Sequence, residues 1–194
     1  MNSNTDLNVE NASAAPDDDA LAQEKYVDWT PRSLADPRVA KIPQFHDGLK
    51  AIVETEGPIN AYRAYQIFGR AADLNKLSAA TKARFDHALQ RALEEGMFLT
   101  EEAYPSEKAG VELSVSDLFL RLPDQPISRV RTLGSRNIND VCPSELAEVI
   151  LHVRTQDDLL GRDEIYREVL AIYGLQKITG LARRTFDHVL KEFF

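Results

Sequence analysis

A single cysteine, Cys142, occurs in the 194 residues, so no disulfide can form within the chain and no zinc site can rest on several thiolates. It lies beside Pro143 at an element boundary, where a small residue is a better reading than a nucleophile. Positive charge is also scarce. Lys and Arg number 23 against 31 Asp and Glu, a formal net charge of −8, which excludes a protein that coats nucleic acid by bulk attraction. No stretch approaches the roughly 18 consecutive apolar residues of a membrane span. The start, MNSNTDLNVENASAAPDDD, has neither the basic nor the apolar region of an export signal. A cytoplasmic chain is expected. Catalytic signatures are missing too: there is no GxxxxGK[ST] phosphate loop, no HExxH among His46, His87, His152 and His188, and no GxSxG elbow. The chain is read as no enzyme, needing no cofactor and no metal.

What is present is a repeat. Residues 74 to 89, LNKLSAATKARFDHAL, align without a gap on residues 175 to 190, LQKITGLARRTFDHVL, with six of sixteen positions identical. Ser78 and Thr179 are hydroxyl residues placed to cap a helix start. Phe85, Ala88, Leu89 and Ala92 then form one helical stripe, and Phe186, Val189, Leu190 and Phe193 the other. The opposite sides carry Arg84, His87 and Arg91 in the first copy and Arg184, His188 and Lys191 in the second. Asp86 and His87 point about 100° apart on a helix, so the shared FDH is no catalytic pair. It reads as a core phenylalanine followed by two polar surface residues.

Composition divides the chain further. Residues 1–24 are expected to be a disordered acidic tail, and 25–42 an extended arm pinned by Tyr26 and Trp29. Residues 1–38 hold eight acids against three bases. Asp17, Asp18 and Asp19 could mimic phosphates and compete for the basic helix faces. A first unit spans 43–133, with helices over about 43–55, 60–72 and 79–95. It continues through strand-like stretches at 97–103, 111–123 and 127–133 around a polar loop with Pro105 and Gly110. After a linker, 134–142, the helical pattern restarts at Pro143, with a second helix over 161–173 and a third over 179–193. The expected fold is mainly α with a small β-hairpin: two tandem winged-helix or helix-turn-helix units, 43–133 and 143–194, the second without a wing.

Glu56, Gly57, Pro58 and Ile59, the Leu74-x-Lys76-Leu77-Ser78 segment, and Pro143, Ser144, Glu145 and Leu146 carry a resemblance over residues 26–194. With them the chain resembles the winged-helix-like domain found at the C-terminal end of large bacterial superfamily I DNA/RNA helicase-like proteins. The helicase motor is absent, so the resemblance implies a nucleic-acid-associated accessory module serving a helicase or nuclease partner, and no ATPase activity.

In a helix-turn-helix the third helix enters the major groove while a wing touches the backbone beside it. The bases that would do so are Lys76, Lys82, Arg84, His87 and Arg91 on the first repeated helix and Arg121, Arg129 and Arg131 on the wing. The second repeated helix offers Lys177, Arg183, Arg184, His188 and Lys191. Non-catalytic binding of DNA, duplex favoured, is the expected function. The alternative is a protein-interaction adaptor, favoured by the acidic total, by an outward Leu181 and by the aromatic end Phe193 and Phe194.

Overall fold

The computed structural model describes residues 21–102 and 114–194. Residues 1–20 of the expected 1–24 tail, the loop with Pro105 and Gly110 and the start of the expected strand at 111–113 lie outside the described residues. The last four tail residues are ordered, Leu21 packing against the second apolar cluster and Glu24 bonding Val130 and Thr132.

Gln44 turns its side-chain oxygen back to the amide of Lys41 and so opens α1, Ile42–Glu56. Its Phe45, Leu49, Ile52 and Val53 recur at helical spacing and are all buried. Gly57 and Pro58, joined by a cis peptide bond, stop it. The chain then makes a two-residue strand, β1 (Ile59–Asn60), and Asn60 caps α2, Ala61–Ala71, by accepting from the Arg63 amide. Helix α3 covers Ala79–Glu94 and is followed by β2 (Leu99–Glu101) and β3 (Phe119–Arg121). Both outer strands pair antiparallel with β3, giving the order β1-β3-β2. Beyond them lie α4 (Pro143–Gln156), α5 (Arg162–Ile172) and α6 (Gly180–Phe193). The protein is mainly helical with a small antiparallel sheet.

The two copies recur in three dimensions. Ser78 accepts from the Thr81 amide and Thr179 from the Ala182 amide, both at 3.1 Å, so each repeated helix starts at the predicted hydroxyl. Replacing either by alanine is expected to cost about 0.5–2 kcal/mol. Chemical denaturation checks this, and a loss near zero for Thr179→Ala would mean that α6 is held by packing alone. The turn before each repeated segment is also shared. Asp73 and Gly174 both adopt positive φ, 58° and 71°, and the next amides, Leu74 and Leu175, donate back to the carbonyls of Gly69 and Leu170. That is the closing bond of a helix ended by a left-handed residue, natural for Gly174 and tolerated by an aspartate.

Helix α1 packs on α2 and α3 as α4 packs on α5 and α6. Each trio encloses its own apolar cluster. Inside, Tyr65 stacks on Phe85 with ring centroids 4.6 Å apart, and Tyr166 meets Phe186 at 5.1 Å. The aspartate of each FDH is half-buried rather than on open surface. Asp187 accepts from the Tyr166 hydroxyl and pairs with Arg162, while Asp86 pairs with Lys82 and lies close to Tyr65. Burial first, and the aspartate second, push both tyrosine hydroxyls well above their ordinary pKa.

One expected strand is absent. Residues 127–133 form no ladder with β3; they run alongside the junction of the tail and the arm, joined to it by a single parallel bridge between Glu24 and Arg131. The alternating pattern there marks extended backbone, but Val130 and Arg131 are adjacent and both buried, so neither face is a solvent face. The sheet's third strand is β1 instead.

Candidate nucleic-acid interface

The stripe on α3 is inward as expected, with Phe85, Ala88, Leu89 and Ala92 at 0% exposure. On α6 the inward run ends earlier: Phe186 and Val189 are buried, Leu190 is half-buried, and Phe193 is 46% exposed. The opposite face of α3 and of the turn before it exposes Asn75, Lys76, Ala79, Ala80, Ala83, Arg84, His87, Gln90 and Arg91. None of these is acidic. Asp86, the one carboxylate within that span, is turned half inward and held 2.7 Å from Lys82. The small residues Ala79, Ala80 and Ala83 leave the first turns of α3 open to close approach. On α6 the exposed run Gln176, Lys177, Thr179, Gly180, Leu181, Arg183 and Arg184 is likewise without acid, whereas His188 and Asp187 are half-buried.

The individual bases are less available than the faces. Arg84 donates through Nε to the Pro37 carbonyl at 2.8 Å and through Nη2 to that of Ala40 at 2.7 Å, so it staples the arm to the first unit. Arg91 pairs with Glu94 at 3.4 Å and Lys191 with Glu192 at 3.4 Å, all on open surface. Arg183 pairs with Asp163 of α5 at 2.6 Å, and that contact lowers the pKa of Asp163 and raises that of Arg183.

The three wing bases fare worst. Arg121 bonds the carbonyl of Gln125 in its own turn. Arg129 pairs with Glu24, just before the arm, at 2.6 Å. Arg131 is 2% exposed and belongs to no outer surface at all. An alternating run with two arginines reads as a basic strand because sequence shows the charges and not their partners; the partner here is Glu145, fourteen residues on.

Those partners form a feature that the sequence did not disclose. Glu145, in the first turn of α4 and 0% exposed, accepts from the Arg131 amide at 3.0 Å and from the Arg131 guanidinium at 2.9 Å. Arg136 gives it two further bonds, both 2.9 Å. Burial opposes the charge on Arg136, and the bonds to Glu145 outweigh it, holding its pKa above the usual value. Arg131 reaches on to the carbonyls of Glu56, Gly57 and Pro58, the end of α1. The Tyr26 ring lies 5.2 Å from one guanidinium and 4.4 Å from the other, while its hydroxyl donates to Glu56. Burial and that bond raise the Tyr26 pKa far above the tyrosine range. The two motifs Glu56-Gly57-Pro58-Ile59 and Pro143-Ser144-Glu145-Leu146 are therefore joined through Arg131.

A second tie runs from the sheet. Glu101, the last residue of β2, accepts from the amide and hydroxyl of Ser144, both at 2.7 Å, and from the Cys142 thiol. A carboxylate at the exposed amides of a helix start is favourably placed. Burial, reinforced by Glu101, raises the Cys142 pKa well above normal, which leaves the thiol protonated and unreactive. Together these ties join the end of α1 and the end of β2 to the start of α4. Among the described residues no group of three or more His, Cys, Asp and Glu is arranged to hold a metal ion. No described helix is long and apolar enough to cross a membrane.

Comparison with known protein families, with curated proteins and with solved structures finds no match to this chain.

Proposed function

We propose that this chain is a non-catalytic DNA-binding module built on two tandem winged-helix units, the second without a sheet. One observation carries the reading: in a protein with 31 acids to 23 bases, the exposed face between Asn75 and Arg91 holds no acid. Charge segregated in this way supplies a local field that the net charge hides. The order α1-β1-α2-α3-β2-β3, with β3 between β1 and β2, supports it, because that is the order in which a winged helix presents its third helix. By the resemblance noted above, the module would serve a helicase or nuclease.

Titration of random-sequence duplex DNA by fluorescence anisotropy at about 50 and 200 mM salt tests the reading. Binding is expected to weaken steeply with salt. Arg91→Ala and Lys76→Ala alter exposed side chains away from the core, and each is expected to reduce the salt slope by about 1 if its side chain meets a phosphate. An affinity indifferent to salt and to both substitutions overturns the proposal.

A second reading, docking of a protein partner, is favoured by Leu181, Phe193 and Phe194, which are 46%, 46% and 50% exposed. Salt-insensitive capture of an apolar partner would support it.

A further inference from the structure

Beside the start of α6 lies a groove of about 630 Å³. Leu133, Ile138, Leu170 and Leu175 contribute its apolar surface, Leu181 forms part of its wall and Lys177 is its cation at the α6 side; no residue lining it is acidic. Leu181 is 46% exposed, while Ala182 and Thr185 of the same stretch are buried. An apolar trough with a basic edge and no carboxylate suits a short segment whose aliphatic side chains are flanked by acids.

The chain contains such a segment. Residues 1–20 carry five acids and no base, and their only branched aliphatic side chains, Leu7 and Val9, are flanked by Asp6 and Glu10. We propose that Asp6, Leu7, Val9 and Glu10 seat in the α6 groove of the same chain, Leu7 and Val9 against the apolar surface and a carboxylate toward Lys177. Reach permits it. Leu21 packs against the second apolar cluster, and the fourteen residue steps from Leu21 back to Leu7 span up to about 46 Å when extended. The longest helix of that unit, 14 residues, is only about 21 Å long. Because Lys177 and Leu181 belong to the α6 face, a seated segment competes with DNA there; this consequence rests on the DNA-binding reading. Tethering supplies an effective concentration of about 1 mM, so an intrinsic dissociation constant of about 0.1 mM would suffice for roughly tenfold competition.

The test uses the full-length chain with Ser13→Cys carrying a nitroxide spin label, the buried Cys142 remaining unlabelled. Selective broadening of the backbone amide signals of Gly174, Lys177 and Leu181 is expected. It should vanish when Leu7→Asp and Val9→Asp are added, and the same pair of changes should raise duplex-DNA affinity roughly tenfold. Absence of selective broadening, or broadening confined to the α3 face, overturns the proposal. So does broadening that appears equally on unlabelled chains mixed with labelled ones, which would make the occupant a second copy. Groove broadening in a chain that binds no DNA keeps the docking and removes the DNA reading. Salt-sensitive DNA binding without broadening removes the docking alone.

Discussion

A Glu145→Ala variant is expected to lose about 3–5 kcal/mol of unfolding free energy, a large part of what holds a domain together. The reason is the company that Glu145 keeps. Removing its carboxylate leaves Arg131 and Arg136, 2% and 4% exposed, buried with the four bonds they donate to it unmade. Arg131 retains its bonds to the α1 carbonyls, and Arg136 retains those to Leu133 and Thr132, but neither charge keeps a carboxylate in contact. Glu145→Gln preserves one acceptor and the shape, so its loss should be smaller. Urea denaturation followed by fluorescence of Trp29, which is buried in the first unit while Glu145 belongs to the second, measures both the loss and its transmission. A change below about 1 kcal/mol would mean that solvent reaches the pair and that the contact behaves as a surface ion pair.

Phe85→Ala is expected to cost about 3–5 kcal/mol. Phe85 is fully buried and meets three rings: Phe45 at 4.9 Å, Tyr65 at 4.6 Å and Phe68 at 5.1 Å. Its counterpart Phe186 is equally buried but meets Tyr166, at 5.1 Å, as its aromatic partner among these pairs. Each aromatic pair adds about 0.5–1.5 kcal/mol beyond area, so Phe186→Ala should be the milder change. Unfolding midpoints of the two variants compare them directly. Equal losses would show that apolar burial alone, and not ring geometry, sets the strength of each core.

The helices were legible because their signals are local. A hydroxyl before an apolar stripe and Gly57-Pro58 after one act within a few residues of where they stand; five of the six helices begin and end within about two residues of the sequence reading, and α4 starts at the expected Pro143. The inward stripe of α3 followed from the same periodicity; on α6 it held for Phe186 and Val189, while Phe193 is exposed and His188 half-buried. Strand β1 was not legible, since two residues cannot show an alternation. The stretch at 127–133 did show one, and it misled: extended backbone is a local property, but its pairing partner is chosen by whatever strand or arm lies alongside.

The candidate interface divides in the same way. Which residues face inward on a helix follows largely from about 100° per residue, although Asp86 and Asp187 turn half inward and Phe193 outward against that expectation. Which outward bases are engaged depends on groups far along the chain: Pro37 for Arg84, Glu24 for Arg129, Asp163 for Arg183. The acids of the two short motifs, Glu56 and Glu145, looked like turn and helix-start residues, and only folding shows that both enter one buried cluster with Tyr26, Arg131 and Arg136.

By itself, then, the sequence determined the helices of two units, the hydroxyl caps of α3 and α6, most of their apolar stripes and the absence of the motifs that common enzymes require. The tertiary structure decided which charges are partnered, how the sheet is ordered and how the units are joined. The physical reason is range: helix periodicity and capping act over three or four residues, whereas a buried ion pair is set by desolvation and by partners that the fold brings together from positions as distant as Glu56 and Glu145.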